Sequence, residues 1–150
     1  MKKIIFLLTA ALSFEFVGAQ ETTAFDLKID HVALSVKNLD QVVAFYTQTL
    51  HLHEITNKTK RDGIRWVSLG DGKELHLVSI LKEPVIINKA VHIAFKTTHF
   101  DNLVKMLENK NIPYSDWDGM RHKITIRADG IRQIYFQDPE GYWIEVNSVE

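Results

Sequence analysis

The amino-acid sequence predicts an α+β fold in which one small domain is built from two βαβββ modules. Three observations carry this prediction. A strand-like segment recurs 61 positions along the chain, the helical pattern behind each copy keeps the same step, and each copy closes on a strand whose polar residue follows a turn glycine by four. Internal repetition of this kind is read before any motif, because it decides the architecture.

The repeated strand is Asp30-His31-Val32-Ala33-Leu34-Ser35-Val36 in the first copy and Val91-His92-Ile93-Ala94-Phe95-Lys96-Thr97 in the second. β-Branched content and alternation mark both as strands. Leu39, Val42, Val43, Phe45 and Tyr46 fall on Phe100, Leu103, Val104, Met106 and Leu107, a spacing that makes an amphipathic helix in each copy. Asn38 or Asp40 is placed to cap the first helix, and Thr97 or Thr98 the second. Strands are then expected at 64–69 and 74–79 around a turn at Asp71-Gly72. In the second copy they are expected at 123–127, 132–136 and 142–146 around turns at Asp129-Gly130 and Pro139-Glu140-Gly141. At the last strand the offset has grown to 69, so the second copy carries eight extra residues between its helix and that strand. The modules span 28–81 and 89–149 of a domain at 28–149, joined by Lys82-Glu83-Pro84, with Pro84 expected to end the preceding strand.

The bulk composition limits the partners. A chain of 150 residues has room for one core, and a net charge of −1 with interspersed signs gives no footprint for nucleic acid or an anionic membrane. The sequence has no cysteine, which excludes a disulfide framework, a catalytic thiol and a lipid anchor on an N-terminal cysteine. Met1-Lys2-Lys3, the apolar run 4–14 and Val17-Gly18-Ala19 follow the order of a secretory signal over 1–19, with cleavage after Ala19 and a periplasmic or secreted destination. The apolar run is too short to span a bilayer, and Glu15 closes it. A buried N-terminal helix is the alternative.

Alternation along the strands separates a helix-facing side from an opposite side. Val32, Leu34 and Val36 share one face of the first strand and His31, Ala33 and Ser35 the other; Val91, Ile93 and Phe95 oppose His92, Ala94 and Lys96; Ile144 and Val146 oppose Trp143, Glu145 and Asn147. The repeat aligns His31 with His92 and His76 with Glu145. Two such sheets set side by side would bring together three imidazoles and a carboxylate, a set suited to a divalent Zn, Ni, Fe or Mn ion. Four ligands leave one or two positions open, as a catalytic metal requires. A lone strand histidine is more often a satisfied polar residue; the pairing through the repeat is what singles these four out. His51, His53, His99 and His122 have no such relation and are read as loop or surface residues. Trp66, Tyr135 and Trp143 either line a cavity or pack, packing being the common fate of strand aromatics.

The segments around His31, with the helix ending Phe45-Tyr46, around Val91-His92-Ile93-Ala94, and above all Gln133-Ile134-Tyr135-Phe136-Gln137-Asp138-Pro139-Glu140-Gly141-Tyr142-Trp143-Ile144-Glu145-Val146, resemble the vicinal oxygen chelate superfamily, also called the glyoxalase/bleomycin-resistance/dioxygenase fold. The resemblance covers nearly all of the chain beyond the signal segment. It implies two paired modules whose curved mixed sheet surrounds a metal-site cavity, with His31, His76, His92 and Glu145 as ligands. It also implies a small-molecule substrate with vicinal oxygens, Glu145 as the catalytic proton-transfer group of a glyoxalase-like lyase or isomerase, and modules paired within one chain or across a homodimer. Glyoxalase I members typically carry a carboxylate where this chain has His76. An Fe(II) extradiol-type dioxygenase and a metal-independent binding protein of the bleomycin-resistance kind are the alternatives. Export weighs against glutathione-dependent chemistry, since glutathione is chiefly cytosolic.

Overall fold

The computed structural model describes residues 26–81 and 83–149; the expected signal segment 1–19 lies outside them. The first module runs β1 (His31–Ser35), α1 (Leu39–Ala44), a π-helical turn (Phe45–Thr49), β2 (Glu54–Ile55), β3 (Ile64–Gly70) and β4 (Lys73–Val78). The second runs β5 (His92–Thr97), α2 (Phe100–Asn109), β6 (Tyr114–Ser115), β7 (Thr125–Ile126), β8 (Arg132–Gln137) and β9 (Trp143–Ser148). Each makes a mixed sheet of the same order. β1 lies parallel to β4 in β1-β4-β3-β2, and β5 parallel to β9 in β5-β9-β8-β6, with β7 also on β8. The architecture is the α+β, βαβββ arrangement that the repeat predicts.

Local chemistry explains the element ends. Asn38 Oδ1 accepts from Gln41 N at 3.1 Å, so Asn38 and not Asp40 caps α1. His99 occupies the cap position of α2 without a side-chain cap bond, and Thr97 Oγ1 instead accepts from His99 N at 3.0 Å, closing the turn before the helix. Asp71 and Gly72 both hold positive φ, 50° and 73°, as a tight hairpin between right-twisted strands demands. β4 stops at Val78, well ahead of Pro84; Ser79 just beyond it donates to Gly63 O from both its N–H, at 2.8 Å, and its hydroxyl, at 3.0 Å. The extra length of the second module lies between β6 and β8, where residues 116–131 stand in place of 56–63.

The helix-facing sides of both sheets feed one apolar cluster. Val67, Leu75 and Leu77 pack with Val42, Val43 and Tyr46, and Ile134, Phe136, Ile144 and Val146 with Phe100, Val104 and Leu107. Burial of this contiguous surface supplies the main drive to fold. The two modules are then tied by the turn after β8. Asp138 is 5% exposed; its Oδ1 accepts from the backbone of Glu140 and Tyr142, both at 2.9 Å, and its Oδ2 accepts from Tyr46 Oη at 3.2 Å. Tyr142 Oη donates to Ser35 O at 2.7 Å, and Glu140 Oε1 accepts from Lys37 N and Asn38 N at the start of α1. Gly141, at φ +91°, lets the chain reverse so that its N–H reaches Asp138 O.

Asp138→Ala is expected to destabilise the fold by about 2–4 kcal/mol, because it strands two backbone donors and a buried phenol. Asp138→Asn keeps an acceptor for the two N–H groups and should cost about half as much. Urea unfolding of both variants checks this; an Asn variant as damaged as the Ala variant would show that the carboxylate bonds are not what matters.

Candidate functional site

The second sheet presents a connected polar network on the face away from α2. Tyr135 and Glu145 are in register on neighbouring strands, so both point to that face, with His92 and Trp143 in register beside them. Tyr135 Oη donates to Glu145 Oε2 at 2.6 Å and Asn147 Nδ2 to Glu145 Oε1 at 2.6 Å, while Gln133 Nε2 supports Asn147 Oδ1 at 3.0 Å. Burial alone would raise the Glu145 pKa. Hydrogen bonds from Tyr135, Asn147 and Gln133, with the charge of His92 nearby, outweigh it and hold the carboxyl below the usual glutamate range. Burial, with Glu145 as hydrogen-bond partner, pushes the Tyr135 phenol well above its ordinary value, so it remains a donor.

His92 adds a constraint. Its Nδ1 lies 2.8 Å from Lys89 O, a carbonyl that can only accept, so the ring proton sits on Nδ1. Its Nε2 lies 3.1 Å from Glu145 Oε2. In the neutral ring, that contact sets a nitrogen lone pair against a carboxylate oxygen. Only a second ring proton or a cation shared by the two atoms relieves it.

The first sheet carries the other pair. His31 and His76 stack with centroids 4.1 Å apart, and His76 stacks on Trp66 at 4.1 Å, giving a pile of three near-parallel rings. Each imidazole is held at one nitrogen by a carboxylate: His31 Nδ1 by Asp30 at 2.7 Å and His76 Nε2 by Glu74 at 2.8 Å. Among the described residues, the opposite nitrogens, His31 Nε2 and His76 Nδ1, have no hydrogen-bond partner. Trp66 is buried, and its indole N–H finds no hydrogen-bond partner among the described residues, so stacking and not hydrogen bonding fixes that ring. The four predicted residues therefore come together as two pairs, one per sheet. Among the described residues no three His, Asp or Glu side chains converge to hold an ion. The edge strands β1 and β5 border a cleft of about 380 Å³ lined by 32–35, Val85, 91–93, Tyr142 and Trp143.

Comparison with known proteins decides the family. Residues 28–146 match the profile of the Glyoxalase/Bleomycin resistance protein/Dioxygenase superfamily, most of the chain. The chain belongs to that superfamily. Its relatives include the uncharacterized protein YwbC of Bacillus subtilis (strain 168), 26% identical over 124 residues that cover 79% of this chain and 94% of YwbC. Among solved structures it is similar to the oxidase ChaP-H2, at 18% identity and TM-score 0.69 over 84% of this chain and 96% of the other. It is also similar to a glyoxalase/dioxygenase from Nostoc punctiforme, at 24% identity and TM-score 0.65 over 94% and 99%. These likenesses establish the fold.

Members of the superfamily commonly use a divalent metal, and the donor chemistry on the second sheet fits one side of such an ion. Ligands about 2.1 Å from a common centre stand about 3 Å apart, and His92 Nε2 and Glu145 Oε2 are 3.1 Å apart. The Lys89 carbonyl on the far ring nitrogen and the Tyr135 and Asn147 donors on the carboxylate are the outer contacts that orient metal ligands. The sequence leaves Tyr135 open between cavity lining and packing and carries no signal for Lys89. The position of Tyr135 directly across from Glu145 is the cue, available once the 138–141 turn sets the hairpin register.

Because the folded-state pKa of Glu145 lies below its unfolded value, near 4.5, its contribution to stability is complete above that value and is lost as pH falls through the folded one. Glu145→Gln should be less stable than wild type by about 1–3 kcal/mol at pH 7. The gap should narrow as pH falls through the folded-state pKa of Glu145, as read from urea midpoints at pH 7 and at successively lower pH. A gap independent of pH would contradict this account of Glu145.

Proposed function

We propose that this protein is a divalent-metal-dependent enzyme acting on a small substrate that offers two vicinal oxygens, with His31, His76, His92 and Glu145 as the ligand set. The observation that carries the reading is the 3.1 Å approach of His92 Nε2 to Glu145 Oε2 with the Nδ1 proton held at Lys89 O, which sets two donor atoms at the separation that ligands of one ion take. The His31–His76 pair is the natural complement, and we propose that it comes from a second copy, the first module of one chain facing the second module of the other. Separation of the two pairs within one chain supports this. So do the unpaired β1 and β5 edges and the apolar side chains left exposed near them: Ile29 at 65%, Val91 at 63% and Ile86 at 91%.

A bound ion would supply Lewis-acid polarisation of the substrate oxygens. The chain's own residues then divide the remaining work. In the lyase or isomerase reading, Glu145 moves the substrate proton while Tyr135 and Asn147 hold its carboxylate in place. A second reading, an iron-dependent oxygenase, is favoured by two particular observations. Three donors lower the basicity of Glu145, which suits a ligand better than a base, and His76 stands where glyoxalase-type lyases carry a carboxylate. The similar ChaP-H2 is itself described as an oxidase. The basic start and apolar run of 1–19 support export, which points to a substrate other than a glutathione adduct.

Equilibrium dialysis against Zn(II), Ni(II), Mn(II) and anaerobic Fe(II) tests the shared premise. The expected result is close to one ion per chain, with affinity falling at least about 100-fold in His92→Ala or Glu145→Ala, the loss of one ligand from a small shell. Turnover that persists under argon selects the lyase reading, and turnover that stops without oxygen selects the oxygenase. Wild-type protein that retains no metal would sink both and leave a ligand-binding protein.

A further inference from the structure

The extra residues of the second module make a built wall at the edge of the polar network, and the proposed function leaves that wall unexplained. Asp116, 2% exposed, anchors the loop: its carboxylate accepts from Met120 N at 2.7 Å and pairs with Lys123 Nζ at 2.9 Å. Lys89 Nζ holds the other side, donating to Ser115 Oγ at 3.3 Å, Asp116 O at 2.9 Å and Trp117 O at 3.0 Å. The same ammonium lies 4.4 Å from the Trp143 ring centre and 5.3 Å from that of Tyr135. One residue thus pins the loop with its side chain while its carbonyl orients His92.

The indole of Trp117 is what this scaffold displays. It meets Tyr135 edge-on, with centroids 5.6 Å apart, one ring away from the Tyr135–Glu145 hydrogen bond, and remains 50% exposed. A large apolar side chain left half in water on a mobile tip would be ordinary. Here both flanks of the segment are tied by charged hydrogen bonds, so the exposure is maintained by structure. Lys89 already lies against Trp143 and Tyr135, whereas Trp117 keeps open surface for a stacking partner. The first module has no counterpart, because its shorter 56–63 segment stops short of such a loop.

We infer that Trp117 is a specificity-determining residue that stacks on a planar aromatic ring of the substrate, with Lys89 as the positioning residue that holds it there. The inference deepens the proposed function: vicinal oxygens are taken at the His92–Glu145 end, and Trp117 selects the body that carries them. Offset or edge-to-face aromatic contact is directional and adds to simple burial, so a ring and an alkyl group of similar polarity are distinguished.

Calorimetric titration of three matched compounds, with and without Mn(II), tests this. Mandelate and lactate share a 2-hydroxy acid and differ in phenyl against methyl; benzoate has the ring without the vicinal hydroxyl. Wild type should bind mandelate about tenfold more tightly than lactate, the top of the range for one aromatic pair. Trp117→Ala should bring the ratio within about twofold, and Trp117→Phe should keep most of it. Lys89→Met should lower the ratio with the indole still present, which a purely structural lysine would not do selectively. A ratio near one in wild type, or one unchanged in Trp117→Ala, overturns the inference. Failure of the metal reading looks different: mandelate then binds no better than benzoate and ignores Mn(II), and Trp117 is judged by whether its removal weakens both ring compounds together. Absence of any binding rejects both.

Discussion

The buried carboxylate of Asp138 is the contact on which the two-module arrangement rests. Apolar packing brings the helices and sheets together, but such packing is non-directional and does not fix how one module sits against the other. Asp138 supplies direction, because one carboxylate accepts from the turn backbone of its own module and from the Tyr46 phenol of the other. The turn it shapes then delivers Tyr142 to the β1 carbonyl of Ser35 and Glu140 to the first amides of α1. Burial raises the Asp138 pKa despite these donors, which marks the contact as one that costs desolvation and is retained for placement.

Downstream of that turn lies β9, so the same constraint sets where Glu145 stands. The register Tyr135 with Glu145 and His92 with Trp143 follows from the hairpin that the turn closes and from the parallel pairing of β5. Chemistry then accumulates on one face. A phenol, two amides and an imidazole surround a single carboxylate, and a backbone carbonyl decides which imidazole nitrogen faces it. The result is an oriented carboxylate oxygen 3.1 Å from the second ring nitrogen of His92, better prepared to share a cation than to serve as an unassisted base. The first sheet achieves orientation by other means, ring stacking and one carboxylate per histidine.

Much of this was legible from spacing. Alternation in the β1 and β5 segments, the helical step behind them and the glycine turns at 71–72 and 139–141 are strong signals, because each repeats or has a steric cause. β2 and β6 were invisible for the opposite reason: two-residue strands have no period to detect, and they form only because a longer neighbour offers them a ladder. The π-helical turn after α1 carries no sequence mark either, and its Thr47 hydroxyl bonds back to Val43 O only once the turn has formed. Within the candidate site, His31, His76, His92 and Glu145 were found because the repeat aligned them. Tyr135 stayed open between cavity lining and packing because strand aromatics do both, and Lys89, the first residue of the second module, belongs to no periodic pattern that would mark it. That the four residues form two separate pairs is a fact of module orientation, which one-dimensional spacing does not encode.

We propose that one ion is shared between the first module of one chain and the second module of another. Mixing chains tests it directly. His31→Ala and His92→Ala proteins, each denatured and refolded alone, are expected to bind almost no metal at concentrations that fill wild type. Refolded together, they should regain sites, because a mixed dimer contains one cavity with every ligand intact alongside one lacking both histidines. Recovery of metal binding in the mixture, measured by dialysis, is the predicted result. Mixed chains that bind no more than the separate variants, while wild type refolds to full occupancy, would contradict the account.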